Sequence, residues 1–323
     1  RRPNQGSEPV WKTEVLMLKI AVNKSIVIAV PPEKAFETIR DFRQWNRWSP
    51  WVICEPDCQM TYADDGKSYA WDGKVIGSGS VEIADEQKPQ AIHYRLTFLK
   101  PWKSKATFSF VFQPEGDGVR VTWTTDSSLP WFLFFMKGMM TAMIGMDYDR
   151  GLRMLKDYLE TGNVHSKLEY PGQINFEGFR YVGIRSQSSM AQIGDQMKAD
   201  FEKLVQWFKG SNIEIGEKPF AAYHSFHLSK GTTEFTTGYP VKAVPDNLPE
   251  GFVSGELSAS PVFRVKHTGP YHHLGNAWSS GMMRAQAKVF QQNKKLPGFE
   301  IYESDPAVTK EEDIVTMLYF PVK

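Results

Sequence analysis

The sequence predicts an α+β chain of two domains, and three observations carry that reading. Alternating strand patterns fill the first half and end in a long apolar segment with helical spacing. The second half repeats one strand–helix–strand–strand unit. Between them runs a polar, turn-rich stretch, TGNVHSKLEYPGQINFEG. A chain of 323 residues exceeds one ordinary core and suits two domains of about 150 residues each. The expected boundaries are 18–162 for the first domain, 163–175 for a linker and 176–323 for the second.

In the first half, SIVIAV (Ser25–Val30) is a β-branched run closed by Pro31-Pro32. Those prolines suit a helix start, and Ala35, Phe36 and Ile39 follow at helical spacing. In AIHYRLTF, Ile92, Tyr94, Leu96 and Phe98 share one face of a strand. ATFSFVF repeats the alternation with Phe108, Phe110 and Phe112, and VRVTW returns across EGDG with Val119, Val121 and Trp123. Such strands form an antiparallel sheet with one covered face. The cover is the segment Leu129–Glu160, whose Met139, Met143, Met146, Leu152, Leu155 and Leu159 run along one helical side. A curved sheet wrapped on a long helix leaves a cavity where its lining falls short of filling it, and methionine adapts to varied apolar guests. Trp71, Phe98, Phe110, Trp123, Met139 and Met143 are the candidate lining.

The second half opens with the strand GFRYVGI and a helix carrying Met197, Phe201, Leu204, Val205 and Phe208 on one face; PFAAYHSFH and TTEFTTGYPV are the next strands. The unit then recurs: PVFRVKH, a helix striped by Leu274, Trp278, Met282, Ala285 and Val289, then FEIYES and DIVTMLYFPV. Two β-α-β-β units of similar length predict a pseudo-twofold domain with its helices on one side of a sheet.

Composition excludes several functions. Thirty-eight basic residues face thirty-seven acidic ones, so no basic face for direct nucleic-acid contact is expected. Cys54 and Cys58 are too few for a disulfide framework and, with no histidine nearby, make a poor zinc site. The run LPWFLFFMKGMMTAMIGM from Leu129 is interrupted by Lys137 and is marginal for spanning at about 18 residues. It reads as the start of a buried helix, with membrane-surface contact as the lesser alternative. The expected location is cytoplasmic, the other choice being an anchor upstream of Arg1.

The segments SIVIAVPPEKAFETIRDFRQWNRWSPW and YAWDGKVIGSGSVEI, with the late helix, resemble the START-like (SRPBCC) superfamily near its polyketide cyclase-like branch. That resemblance implies a helix-grip fold with a cavity for lipids, polyketides or other apolar molecules. The second half resembles the GyrI-like effector-binding domain of AraC-type and multidrug-sensing regulators. The residues that carry this likeness are Gly183-Ile184, Tyr239-Pro240, His267 to Tyr271, FEIYESDP and TMLYFPV. It implies that an aromatic near the GPY turn lines a central pocket. It also implies an acid in the closing T-E-x-Y-x-P pattern, where this chain has Met317.

The candidate pocket gathers Tyr271 and Trp278 from the resemblance and adds Tyr223 and Tyr239. Period-two spacing contributes Glu300 with Tyr302, and Met317 with Tyr319. Rings around one carboxylate suit flat, cationic or amphipathic molecules; Met317 in place of an acid shifts the expected preference toward neutral ones. The stretch HTGPYHHLGNAW raises a metal alternative, set aside because His272 and His273 should diverge by about a hundred degrees at the start of a helix and no H-E-x-x-H pattern is near.

No cofactor is expected. No phosphate loop, dinucleotide fingerprint or G-x-S-x-G elbow is found. The preferred reading is a non-enzymatic sensor, carrier or sequestering module with two pockets for aromatic, amphipathic or lipophilic molecules. A partner protein would convey any regulatory output, and membrane association is not expected. The alternative is a hydrolase or cyclase with Glu300 as general base, since some GyrI-like proteins hydrolyse reactive small molecules.

Overall fold

Two antiparallel sheets, each covered by helices on one face, organise the chain. The computed structural model describes residues 17–323 apart from 212, 217 and 229. The Arg1 end, and with it the question of an upstream anchor, lies outside the described residues.

The first domain runs β1 (Met17–Ile28), α1 (Pro32–Arg40), α2 (Trp45–Trp48), β2 (Gln59–Tyr62), β3 (Ser68–Asp72), β4 (Ser78–Gln87), β5 (Ala91–Lys100), β6 (Ser104–Glu115), β7 (Gly118–Pro130) and α3 (Lys137–Thr161). Its seven strands lie in the order β1-β7-β6-β5-β4-β3-β2. Pro32 opens α1 as expected, and α1 buries Ala35, Phe36 and Ile39. Gly162, with φ +83°, ends α3 in the left-handed conformation that glycine adopts without strain. The covered face is the one the alternation predicts: Ile92, Tyr94, Phe108, Phe110, Phe112, Val119, Val121 and Trp123 are all buried.

The second domain runs β8 (Lys167–Phe176), β9 (Phe179–Ser189), α4 (Ile193–Lys209), β10 (Phe220–His227), β11 (Thr232–Pro240), β12 (Phe252–Leu257), β13 (Ser260–Thr268), α5 (Gly275–Gln286), β14 (Gly298–Tyr302) and β15 (Val315–Pro321). The sheet order β12-β9-β11-β10-β14-β15-β13-β8 is palindromic, with one β-α-β-β unit on each side of the β10–β14 seam. Each unit is preceded by a strand that pairs with the other unit: β8 joins β13 and β12 joins β9. That exchange ties the halves together.

Two expectations change here. Most of the expected linker 163–175 is strand β8, an edge strand whose Pro171 and exposed polar side chains resemble a loop in sequence. The α5 stripe is also narrower than predicted: the helix ends at Gln286, before the exposed Val289, and within it Met282 faces solvent.

The domains meet in a polar joint. The carbonyl of Cys54 accepts from Arg284 Nη2 and Tyr170 Oη, both at 3.0 Å, and from Ser280 Oγ at 3.4 Å. Arg150 Nη1 donates to Asn276 Oδ1 at 2.8 Å. Asn276, Ser280 and Arg284 recur every four residues and so share one side of α5, while Ala277, Trp278 and Gly281 of the same helix face the second domain's sheet.

Candidate functional site

Strand β14 places Glu300 at the centre of the second domain, opposite Ala221 of β10 and Leu318 of β15. Cross-strand partners point to the same side of a sheet, here toward the helices. Two residues along, Tyr302 projects the same way and donates its hydroxyl to Glu300 Oε1 at 2.6 Å. From β10, Tyr223 donates to the same oxygen at 2.9 Å. From α5, the Trp278 indole N–H donates to Oε2 at 2.8 Å. The carboxylate is fully buried and no ion pair compensates it among the described residues.

Electrostatics follow from that geometry. Burial pushes the Glu300 carboxyl above its ordinary pKa, and the three neutral donors pull it back only in part. Burial likewise drives the Tyr223 and Tyr302 phenols far up, with the Glu300 charge adding to the effect, so both stay protonated donors. A buried charge held by neutral dipoles alone is costly, and a positive guest would relieve that cost.

Aromatic packing closes the site. Trp278 meets Tyr223 edge-on at 4.8 Å, and Phe226 stacks on Tyr223 at 5.4 Å. Gly298 makes room for the indole: a Cβ there would stand 3.0 Å from Trp278 Cζ3. Tyr271 meets Tyr302 edge-on at 5.6 Å and remains 38% exposed, so it is the ring between the carboxylate cluster and solvent. Burial raises the Tyr271 phenol to about 12.

The structure brings together Glu300, Tyr302, Tyr223, Trp278 and Tyr271. Tyr239 is set apart behind Phe201 and Phe208 of α4, whose rings lie 6.0 and 5.7 Å from it. Met317 and Tyr319 belong to the opposite sheet face. Register decides this: Met317 pairs with Ile301 and Tyr319 with Phe299, the neighbours of Glu300 that point away from it. Tyr319 stacks on Phe299 at 4.7 Å and borders a separate hollow of about 350 Å³ with Phe179, Lys218 and Glu303. The reading of Met317 as the replacement of an acid beside Glu300 is therefore corrected, since a carboxylate at 317 would face the other way.

In the first domain, Phe110 and Trp123 lie in solid core, 4.6 Å apart, with Tyr148 stacked on Trp123 at 4.0 Å. Trp71 meets Phe98 at 5.8 Å toward the sheet edge, and Met139 and Met143 are exposed. The buried residues of α3 begin only at Gly145, and its buried side chains at Tyr148. The six residues do not come together around one hollow.

The histidines also differ from expectation. A single 3-10 turn, Tyr271–His273, turns both rings onto one oxygen, Asp157 Oδ2 of α3, at 3.5 Å for His272 Nε2 and 2.7 Å for His273 Nε2. They converge where divergence was expected, and they tie this turn to the first domain. His267 is fully buried with Nε2 3.1 Å from Ser166 Oγ, and burial lowers its pKa to about 4. Sequence reasoning missed Phe226 and Gly298 and read Met197 only as helix core, whereas its Sδ lies 3.7 Å from the Tyr302 hydroxyl; only the small residue two before Glu300, on the same strand face, could have signalled Gly298.

Residues 19–160 match the family model described as polyketide cyclase / dehydrase and lipid transport, and residues 171–323 match the GyrI-like small molecule binding domain. The second half is a GyrI-like domain. It follows a START-like domain in the same chain, as the resemblances implied. The Glu300 cluster sits at the seam of the GyrI-like domain's two units. No curated protein matches the chain. Partly similar solved structures include the EcmrR–DNA complex in EcmrR-RPo, at 14% identity and TM-score 0.43, covering 59% of this chain and 69% of that one. SAV2435 bound to tetraphenylphosphonium matches at 14% identity and TM-score 0.37, covering 48% and 94%. CalU16 from Micromonospora echinospora matches at 14% identity and TM-score 0.31, covering 44% and 73%. With TM-scores this low, the likenesses to these structures carry no functional weight.

Proposed function

We propose that the GyrI-like domain captures a flat, aromatic small molecule, preferentially a cation, between Trp278, Tyr223 and Tyr302, and that Tyr271 is the ring that moves to admit it. The reading rests on one observation: Glu300 is a fully buried carboxylate whose only partners among the described residues are neutral donors. A guest bearing positive charge would supply the missing counter-ion, and each ring face it meets adds about 0.5–2 kcal/mol. The protein then acts as a sensor or sequestering module, and a partner protein carries any onward signal. Thermal melting with matched cationic and neutral aromatic dyes tests this. The cationic dye is expected to raise the melting temperature of the wild type and to lose most of that effect in Glu300→Gln; equal stabilisation by both dyes in both proteins would overturn the reading.

A second reading is supported by the burial of Glu300 and by the upward push that burial gives its pKa. Both suit a general base acting on a reactive guest. Turnover of a screened electrophile that Glu300→Gln abolishes, with binding intact, would make the domain a hydrolase.

A further inference from the structure

Among the described residues, six of the fifteen exposed large apolar side chains lie at one edge of the first domain. In the segment that joins β7 to α3, Trp131 is 53% exposed, Phe132 53%, Phe134 65% and Phe135 69%. In the turn between β5 and β6, Leu99 is 52% exposed and Trp102 68%. The strand registers put these two segments side by side. β5 and β6 pair up to Phe98 and Ser104, and Thr107 of β6 faces Asp126 of β7. Continuing β7 by four residues to Pro130 reaches the level of the β5–β6 turn. Single exposed apolar side chains are ordinary, but six large ones clustered on one edge mark a contact surface.

Charge identifies the occupant. From Leu99 to Lys105 and from Leu129 to Met146 the sequence holds four lysines, Lys100, Lys103, Lys105 and Lys137, and no carboxylate; Lys100 pairs with Asp72 of β3 at 3.3 Å, which leaves three to face a partner. All four are exposed. Protein–protein interfaces are enriched in aromatics and depleted of lysine. Tryptophan and phenylalanine bordered by lysine are instead the chemistry of an anionic lipid–water boundary, where rings sit at headgroup depth and ammonium groups meet phosphates. No helix among the described residues is long and apolar enough to cross a membrane, so the contact is one of surface seating.

We propose that the edge formed by Trp102, Trp131, Phe132, Phe134 and Phe135, with Lys103, Lys105 and Lys137, docks on an anionic phospholipid bilayer. This surface belongs to the first domain and does not involve the Glu300 site. Because β1 begins beside it, with Met17 paired to Pro130, the chain enters the domain at the membrane-facing edge.

Co-sedimentation of the full chain with vesicles tests the proposal. Binding to phosphatidylcholine vesicles containing phosphatidylglycerol is expected to exceed binding to phosphatidylcholine alone by roughly tenfold or more. The triple variant Trp131→Ser, Phe134→Ser, Phe135→Ser should lower partitioning by at least about tenfold on both compositions. The variant Lys103→Glu, Lys105→Glu should remove the preference for phosphatidylglycerol. Circular dichroism melts identify any variant that fails to fold, and the lysine pair then remains as a test that leaves the apolar residues intact. Absence of wild-type binding to either vesicle overturns the proposal. So does a self-association in sedimentation velocity that the triple variant abolishes while vesicle binding is absent, which would assign the edge to a second copy of the chain.

Discussion

Both domains gather aromatic rings on the covered face of an antiparallel sheet, yet the rings answer to different partners. In the first domain Trp45, Trp48, Phe110 and Trp123 contact one another, and Tyr148 completes the stack. In the second, two phenols and an indole turn their polar edges toward a single carboxylate. The first arrangement has mainly dispersion and apolar burial to lose. The second holds a charge that costs free energy while it stays unpaired. An aromatic cluster becomes a recognition site when it encloses something it does not itself neutralise.

The largest effect should come from breaking the first cluster. Trp123→Ala removes a fully buried indole and is expected to cost about 3–5 kcal/mol. In calorimetry the first domain should melt early, with dye binding at Glu300 unchanged below that transition. A large loss of dye affinity would mean that the two clusters are energetically one.

Next comes pH, which should act through the second domain. Burial depresses His267 to about 4, so the neutral imidazole contributes stability above the ordinary histidine pKa, and that stability is lost as pH falls from about 6.5 toward 4. The loss is on the order of 3 kcal/mol. Urea titrations at either end of that window should show it, and His267→Gln should remove most of it. Glu300 has the opposite sign. Its raised pKa favours the protonated fold, so stability is lost as pH rises from the ordinary carboxylate range through the raised value. Glu300→Gln should therefore melt a few degrees above wild type in mildly alkaline buffer, with the advantage vanishing in acid.

Smaller changes probe the geometry of the second cluster. Gly298→Ala places a methyl 3.0–3.1 Å from the Trp278 ring and should cost about 1–3 kcal/mol while weakening the indole's bond to Glu300. Cationic dye affinity should fall along with stability. Smallest in stability, Tyr271→Ala at a partly exposed ring should lower the unfolding free energy by less than about 1 kcal/mol. Stopped-flow binding should nevertheless show faster dye entry; an unchanged rate would place the gate elsewhere.

How much of this was legible follows from which interactions are local. Strand alternation exposed the covered faces, because Ile92, Phe110 and Val121 obey a period of two whatever they pack against. The duplicated units were readable because both halves carry complete strand and helix patterns. Glu300 and Tyr302 belong together by the same parity. What parity leaves open is which strands face each other in register, so Met317 and Tyr319 were placed on the wrong side of the sheet. The edge strand β8 hid because exposed edges are polar by necessity. The convergence of His272 and His273 on Asp157, more than a hundred residues away, depends on how the domains dock, and no local pattern encodes it. The outward position of Met139 and Met143 has the same kind of origin: a helical stripe shows which side of α3 is apolar, and not how much of that side another element covers.

Helix α5 is a shared wall. Asn276, Ser280 and Arg284 grip the first domain on one side, while Trp278 supports the carboxylate cage on the other. A guest that presses on the indole would therefore push on a rod whose far surface is fastened to the Cys54 carbonyl. Occupancy of the cage would be felt as a twist between neighbours, so that two compartments with separate chemistries share one mechanical linkage.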